Sequence, residues 1–422
     1  MNLKNTFLQT SKWILICVLI GVISGSASAF FLVSLDWVTQ FREGNSWIIW
    51  LLPMGGLAIG LLYHYYGKDV VKGNNLLLEE YENPKKTIPI KMAPMVLIGT
   101  LITHLFGGSA GREGTAVQMS GAIADQFNKL SSRAQSRDKL NNSDRKTLII
   151  LGISAGFASI FGTPLAGALF ALEVLYFSKM SFRSVVFSFV VAYIAYFTVD
   201  FWQVKHTHYH IPIVPQMTII NLGWIIIVGI VFGLTAMLFS RTTHLWGRLF
   251  SKYIQYAPVR PFVGGLILAV AIYLIGTTKY IGLGIPTIVE SFSTTNEWYD
   301  FILKIAFTGF TLGAGFKGGE VTPLFFIGAT LGSALSLIVP LPIALLAGLG
   351  FVAVFSGATH TPIACTIMGM ELFGIESGIY IGIACVVAYF CSGSIGIYNS
   401  QIVKGAKHKL YQRIKRQNLE DF

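Results

Sequence analysis

Charged residues are scarce in this chain of 422 residues: only 12% are Asp, Glu, Lys or Arg, where soluble domains carry about 25%. Polar segments long enough for a large soluble domain are missing as well, while hydrophobic residues reach 53% and the mean hydropathy is +0.63. This composition excludes an ordinary soluble enzyme or binding domain and describes an all-α polytopic membrane protein. Cysteines are few. Cys17, Cys365, Cys385 and Cys391 all fall in apolar runs without CxxC spacing, so they read as small buried hydrophobes and not as disulfides or metal ligands. An HExxH spacing and a nucleophile–base pair are absent too, which argues against an intramembrane enzyme built on Glu113 or on the histidines. The first hydrophobic run lacks a small-residue cleavage site followed by a soluble domain and reads as a retained helix.

What the chain has in quantity is apolar sequence. Residues 13–35, 47–66, 148–177, 185–199, 219–239 and 379–390 form apolar runs, and one crossing needs about 20 residues. Residues 95–106, 324–339 and 343–355 are short or interrupted by Gly and Pro. They read as discontinuous half-helices, which mark binding sites in transporters. The net charge is +11, with basic clusters at 129–146 and 404–416. Beside membrane spans the positive-inside rule accounts for them without nucleic acid, and places both clusters, with Lys4 and Lys12, in the cytoplasm.

One stretch breaks the apolar monotony. Residues 107–125, GGSAGREGTAVQMSGAIAD, carry Arg112 and Glu113 among small apolar residues. An ionisable group at membrane depth is costly and therefore points to function, and glycines beside it let backbone N–H groups approach an anion. The stretch has a counterpart: EGTAVQMSGA from Glu113 and EVTPLFFIGA from Glu320 share Glu, Thr, Gly and Ala at the same offsets, 207 residues apart. PLAG from Pro164 and PIAC from Pro362, 198 residues apart, each precede a glutamate (Glu173, Glu371) at the ninth position after proline. Gly73-Asn74-Asn75-Leu76 and Gly282-Leu283-Gly284-Ile285 add a third match at a separation of 209.

Three matches in one order at nearly one spacing describe two membrane halves of the inverted-repeat transporter kind. The division is 1–202 for the first half, 203–217 for an external connecting loop, 218–403 for the second half and 404–422 for a basic cytoplasmic tail. The site belongs where the halves meet, at the glycine-rich helix starts 73–76, 111–115 and 318–322. Helix N-termini carry partial positive charge and unpaired N–H donors, so several together seat a small anion without a full cation and still let it leave. Asn74 and Asn75 suit a helix cap or a ligand contact equally. His206, His208 and His210 alternate in the connecting loop with no carboxylate or Cys beside them, and read as solvated and not as a metal site. His104 and His360 stand alone and read as hydrogen-bonded structural groups.

These residues resemble the CLC superfamily of anion channels and proton-coupled antiporters. GREGT at 111–115 is similar to the family's GREGP, GGEVTP at 318–323 to its GxFxP region, PLAGALFALE at 164–173 to the following helix, and Tyr398 in GSIGIYN to its anion-coordinating tyrosine. Three departures are informative. Asn74 stands where the family's GSGIP has Ser, Thr115 replaces the proline of GREGP, and Glu320 replaces the aromatic of GxFxP. The proton-transfer glutamate of the chloride antiporters falls at Val174. This combination resembles the fluoride/proton antiporter branch.

The resemblance implies a CLC-type fold with tilted, broken helices, a homodimer, a multi-pass protein of the bacterial cytoplasmic membrane with both termini inside, and export of fluoride in exchange for protons. The alternative within the same fold is a chloride/proton antiporter or a passive anion channel. By the resemblance and the repeat together, Glu113 is the gating and proton-coupling glutamate and Glu320 a second proton and fluoride relay. The anion-binding set is Asn74, Asn75, Gly111, Arg112, Gly114, Thr115, Val321, Thr322 and Tyr398. No metal or cofactor is expected; the partners are fluoride, protons and the lipid bilayer.

Overall fold

The computed structural model describes residues 3–132, 140–175, 181–401, 407 and 411. Among these residues, eight α-helices precede the connecting loop: α1 (Leu3–Gly44), α2 (Leu52–Tyr66), α3 (Asn74–Glu82), α4 (Met92–Leu105), α5 (Glu113–Ser132), α6 (Asn142–Phe161), α7 (Pro164–Val174) and α8 (Phe182–Phe201). Following it are α9 (Ile219–Tyr253), α10 (Val259–Ile275), α11 (Ile285–Glu290), α12 (Asp300–Ala314), α13 (Val321–Leu335), α14 (Ile343–Thr359), α15 (Pro362–Phe373) and α16 (Gly378–Cys391). Among the described residues four stretches, Gln9–Gly44, Ser46–Tyr66, Phe182–Phe201 and Ile219–Tyr253, are long and apolar enough to cross a membrane. Most of the other apolar helices have only 10–17 residues, short of a full crossing of about 20.

The apolar run at 148–177 does not form one rod. α6 stops at Gly162, whose φ of 72° is left-handed, and after Thr163 the chain restarts with Pro164 at the first turn of α7. Proline suits a first turn because its missing N–H is an unpaired donor there anyway. The second half repeats the device, with His360 at φ 58°, Thr361, then Pro362. Tyr176 and Phe177, residues 133–139 of one basic cluster, and the tail 404–422 apart from Lys407 and Tyr411 lie outside the described residues.

The pairing of α7 with α15 gives the orientation of the halves, which sequence identity alone leaves open. Glu173, in the last turn of α7, accepts hydrogen bonds from the first-turn N–H groups of Ile363 (3.0 Å) and Ala364 (2.8 Å) in α15. Glu371, in the last turn of α15, accepts from Leu165 (2.9 Å) and Ala166 (2.8 Å) in α7. Each helix ends at the start of the other, so the two run antiparallel and exchange under a two-fold rotation. In a bilayer, unpaired N–H groups have no water to turn to, and a carboxylate accepting two of them is a strong cap. Gly111 and Gly319 repeat the same relation in miniature, each donating its N–H to the other's carbonyl at 2.6 and 2.8 Å. The repeat is therefore inverted.

The centre of the fold is made of helices too apolar to show a face. Ala344 to Thr359 in α14 are all buried, as are Val321 to Ser333 in α13. These two helices approach through glycines: a methyl added at Gly328 or at Gly350 would lie 2.0 Å from the other's carbonyl oxygen. Such contacts replace the hydrophobic drive that lipid removes. Outer helices expose Leu15, Val33, Phe197 and Leu274, as lipid-facing surfaces do. Cys17, Cys365 and Cys385 are buried and none of the four cysteines is in a disulfide.

Candidate functional site

The starts of α3, α5 and α13 converge. The Gly111–Gly319 bridge draws α5 and α13 together, and a methyl on Gly114 would sit 3.0 Å from the Asn74 side-chain nitrogen and 3.1 Å from Gly319 Cα. Only glycine allows three helix starts to come so close. At this junction the Glu113 carboxylate, 1% exposed, folds back over its own helix start. One oxygen accepts the N–H of Arg112 at 3.1 Å and the N–H of Thr322 at 3.1 Å; the other accepts the Thr322 hydroxyl. Thr322 belongs to the other half. The carboxylate thus occupies a seat of N–H and O–H donors at two helix N-termini, the place and chemistry an anion requires.

Beneath the seat lies a cavity of about 160 Å³ bounded by Asn74, Asn75, Gln118, Lys317, Gly318, Glu320, Tyr398 and Tyr63. Glu320 stands at the N-cap position of α13, but its side chain makes no capping hydrogen bond; it is left to the cavity. Asn74 opens α3, and its side-chain oxygen is buried without a partner. Asn75 is committed elsewhere, accepting the Ser400 N–H at 3.0 Å. That bond, with Ile397 N–H on the Ala358 carbonyl at 2.9 Å and the Gln401 amide on the Thr359 carbonyl at 2.8 Å, pins both sides of Tyr398. Tyr398 is 9% exposed and lines the cavity although no helix carries it.

The remaining expected residues divide. Gly111 and Gly114 shape the junction through backbone approach, and Val321 is a buried apolar residue at the start of α13. Thr115 turns its hydroxyl to that of Thr100 at 2.6 Å and ties α5 to α4; it does not border the cavity. Arg112 contributes its N–H, and its guanidinium Nε lies 3.9 Å from the Glu113 carboxylate while the side chain lines a separate, larger cavity of about 960 Å³ at the opposite mouth. Gly284 and Ile285 line that mouth as well. The third sequence match is thus split, Asn74 and Asn75 at one mouth and their counterparts Leu283 and Gly284 at the other, as inversion requires. His206 packs against Gly162, and among the described residues no group of His, Cys, Asp and Glu is arranged to hold a metal. Lone His360 accepts from Lys407 at 2.7 Å.

Gln118 and Lys317 were not singled out by the sequence. Gln118 follows Gly114 by four positions and so shares its helix face; a polar residue there in a small-residue helix was the available signal. Lys317 directly precedes the Gly318–Gly319 pair. Val174, by contrast, is buried and apolar, so no proton can be carried there.

A model of the voltage gated chloride channel family matches residues 55–393. The chain belongs to this family. Among CLC relatives, a "Chloride/fluoride channel protein" of Pseudomonas syringae pv. tomato is 49% identical over 98% of this chain and 91% of its own length. A crystal structure of a CLC-type fluoride/proton antiporter superposes with a TM-score of 0.89 at 34% identity, covering 94% of this chain and 99% of its own. A slow cyanobacterial Cl⁻/H⁺ antiporter shares the fold, with a TM-score of 0.77 at 18% identity over 96% and 99% of the two chains. CLC membership makes the chain an anion transport protein of the membrane and not an enzyme.

Proposed function

We propose that this CLC protein is a secondary active antiporter that expels fluoride from the cytoplasm in exchange for protons. The observation that carries the reading is the Glu113 carboxylate seated on the Thr322 N–H and hydroxyl. A carboxylate and a permeating anion of the same sign cannot share those donors, so one displaces the other. A displaced Glu113 takes up a proton and a returning one releases it. Competition for one seat couples the two fluxes.

Fluoride is small, strongly hydrated and a strong hydrogen-bond acceptor, so its path must replace water with donors. The Thr322 hydroxyl, the Asn74 amide, the Tyr398 hydroxyl and the helix-start N–H groups are such donors. Fluoride's acid is weak, so it enters cells as HF and dissociates inside, and inward proton movement supplies the energy for export. Glu320, free of any cap bond and open to the cavity, stands in for the titratable group that Val174 is not.

The mouth that holds the smaller cavity carries Lys68, Lys72, Lys85, Lys86 and Lys91, and Arg145 and Lys146 lie on the same side through contacts with Glu80 and Glu82. By the positive-inside rule this mouth is cytoplasmic, the loop 203–217 is external and both termini are inside. The functional unit is a homodimer with a pathway in each subunit. Two of the relatives cited above, the chloride/fluoride channel protein and the fluoride/proton antiporter, support fluoride transport, and the first makes chloride the competing substrate.

The test is purified protein in liposomes loaded with fluoride or chloride, with halide and pH electrodes outside. Outward fluoride flow that drives proton uptake, with much weaker chloride flow, is expected. Chloride transport at an equal rate, or fluoride flux without proton movement, overturns the reading.

A further inference from the structure

We propose that Lys317 is a fixed cation of this pathway, its ammonium holding a small anion in the cavity just below the Glu113 seat. The inference rests on the anion-transport reading of that cavity. Lys317 lines it together with Glu320, Tyr398 and Asn74. The other lysine on the lining, Lys72, is exposed and already paired with Glu79 at 2.7 Å. Lys317 has no such partner: among the described residues its ammonium is in no hydrogen bond or ion pair, and no carboxylate oxygen lies within 4.0 Å of it. Its contact is the face of Tyr63, 4.1 Å from ammonium to ring centroid.

A cation–π contact offsets part of the cost of removing an ammonium from water but leaves its charge uncompensated. A charge kept at membrane depth without a counter-ion is the arrangement expected where the counter-ion is a ligand that comes and goes. The rest of the lysine is held firmly. Its N–H donates to the Thr103 hydroxyl at 3.3 Å, and its stem lies so close to Gly99 that a methyl there would be 3.0 Å from both Cβ and Cγ. Anchored at the backbone, slotted along the stem and stopped by the Tyr63 ring, the ammonium is kept from collapsing onto Glu320. A diffuse charge on helix N-termini seats an anion weakly; one localised ammonium sets the concentration at which the cavity fills. That makes Lys317 a determinant of affinity, while Glu113 and Glu320 determine coupling.

The test measures initial anion efflux from proteoliposomes against internal anion concentration, for the wild type, Lys317→Met, Lys317→Gln and Lys317→Arg. Met and Gln should each raise the half-saturating internal fluoride concentration at least tenfold and change maximal turnover and the proton-to-fluoride ratio less than threefold. Arg should return half-saturation to within threefold of wild type. Unchanged half-saturation in both neutral variants, or a loss confined to maximal turnover, overturns the proposal and makes Lys317 a packing residue. If the wild type shows no fluoride-driven proton uptake, the fluoride reading fails by itself, and the same comparison with chloride then decides Lys317 alone.

Discussion

The two helix starts related by the repeat carry the same residue and use it differently. At α5, Glu113 reaches across to the other half and is bonded to Thr322; at α13, Glu320 makes no cap bond and faces the cavity. A two-fold relation between backbones therefore does not produce two equal sites. Thr322 turns its hydroxyl to Glu113, whereas Thr115, its counterpart, turns its own to Thr100, and one duplicated glutamate becomes an occupant and a neighbour.

The strongest way to break this comparison is to silence the occupant. Glu113→Gln keeps the shape but cannot titrate, and proton movement coupled to anion flux should fall about 100-fold or more, the usual scale for losing a proton-transfer group. Proton pumping at the wild-type ratio in liposomes would remove Glu113 from the coupling. Next comes the neighbour. Glu320→Gln should lower coupled fluoride turnover by roughly tenfold or more, with the size-exclusion profile unchanged from wild type. Normal fluoride-driven proton uptake in that variant would reduce Glu320 to a wall of the cavity.

A smaller effect tests what the seat selects. Asn74→Leu combined with Thr322→Val removes two donors, and the fluoride-to-chloride flux ratio should drop by about tenfold, since a site built to donate hydrogen bonds loses most with its best acceptor. Equal loss of both fluxes would indicate a packing defect. The mildest change tests where the symmetry does hold. Glu173→Ala and Glu371→Ala each strip two N–H groups of their acceptor, and each should cost about 1–3 kcal/mol of stability by thermal unfolding in detergent. Losses that differ severalfold would show the two caps to be unequal. Glu173→Gln, which keeps one acceptor, should leave coupling intact.

Legibility in the sequence followed the chemistry. The polar exceptions in an apolar chain, Glu113, Glu320, Asn74 and Tyr398, carry costs at membrane depth that only a use can offset, and all four meet at one seat or the cavity beneath it. The α6–α7 break hid inside the run 148–177 because residues buried on every side show no period, and only Pro164 marked it. Thr115 looked like a donor to the anion because it sits in the motif, but a side chain on a helix can turn to its neighbour, here Thr100, and spacing along one strand of sequence cannot say which way. Lys317 went unremarked because composition counts a lysine as a surface charge; its significance comes from Tyr63 and Gly99, each more than 200 residues away in the chain.

The reciprocal caps of α7 and α15 have a consequence in time. The acceptor for the Leu165 N–H is Glu371, 206 positions later, so at about 5–20 residues per second the first turn of α7 waits roughly 10–40 s for its partner to be synthesised. The first half enters the bilayer before it is complete, and something else, water or lipid headgroups, must meet those donors meanwhile. A nascent chain stalled short of residue 371 should therefore show fast hydrogen exchange at Leu165 and Ala166, and the released full chain slow exchange at both.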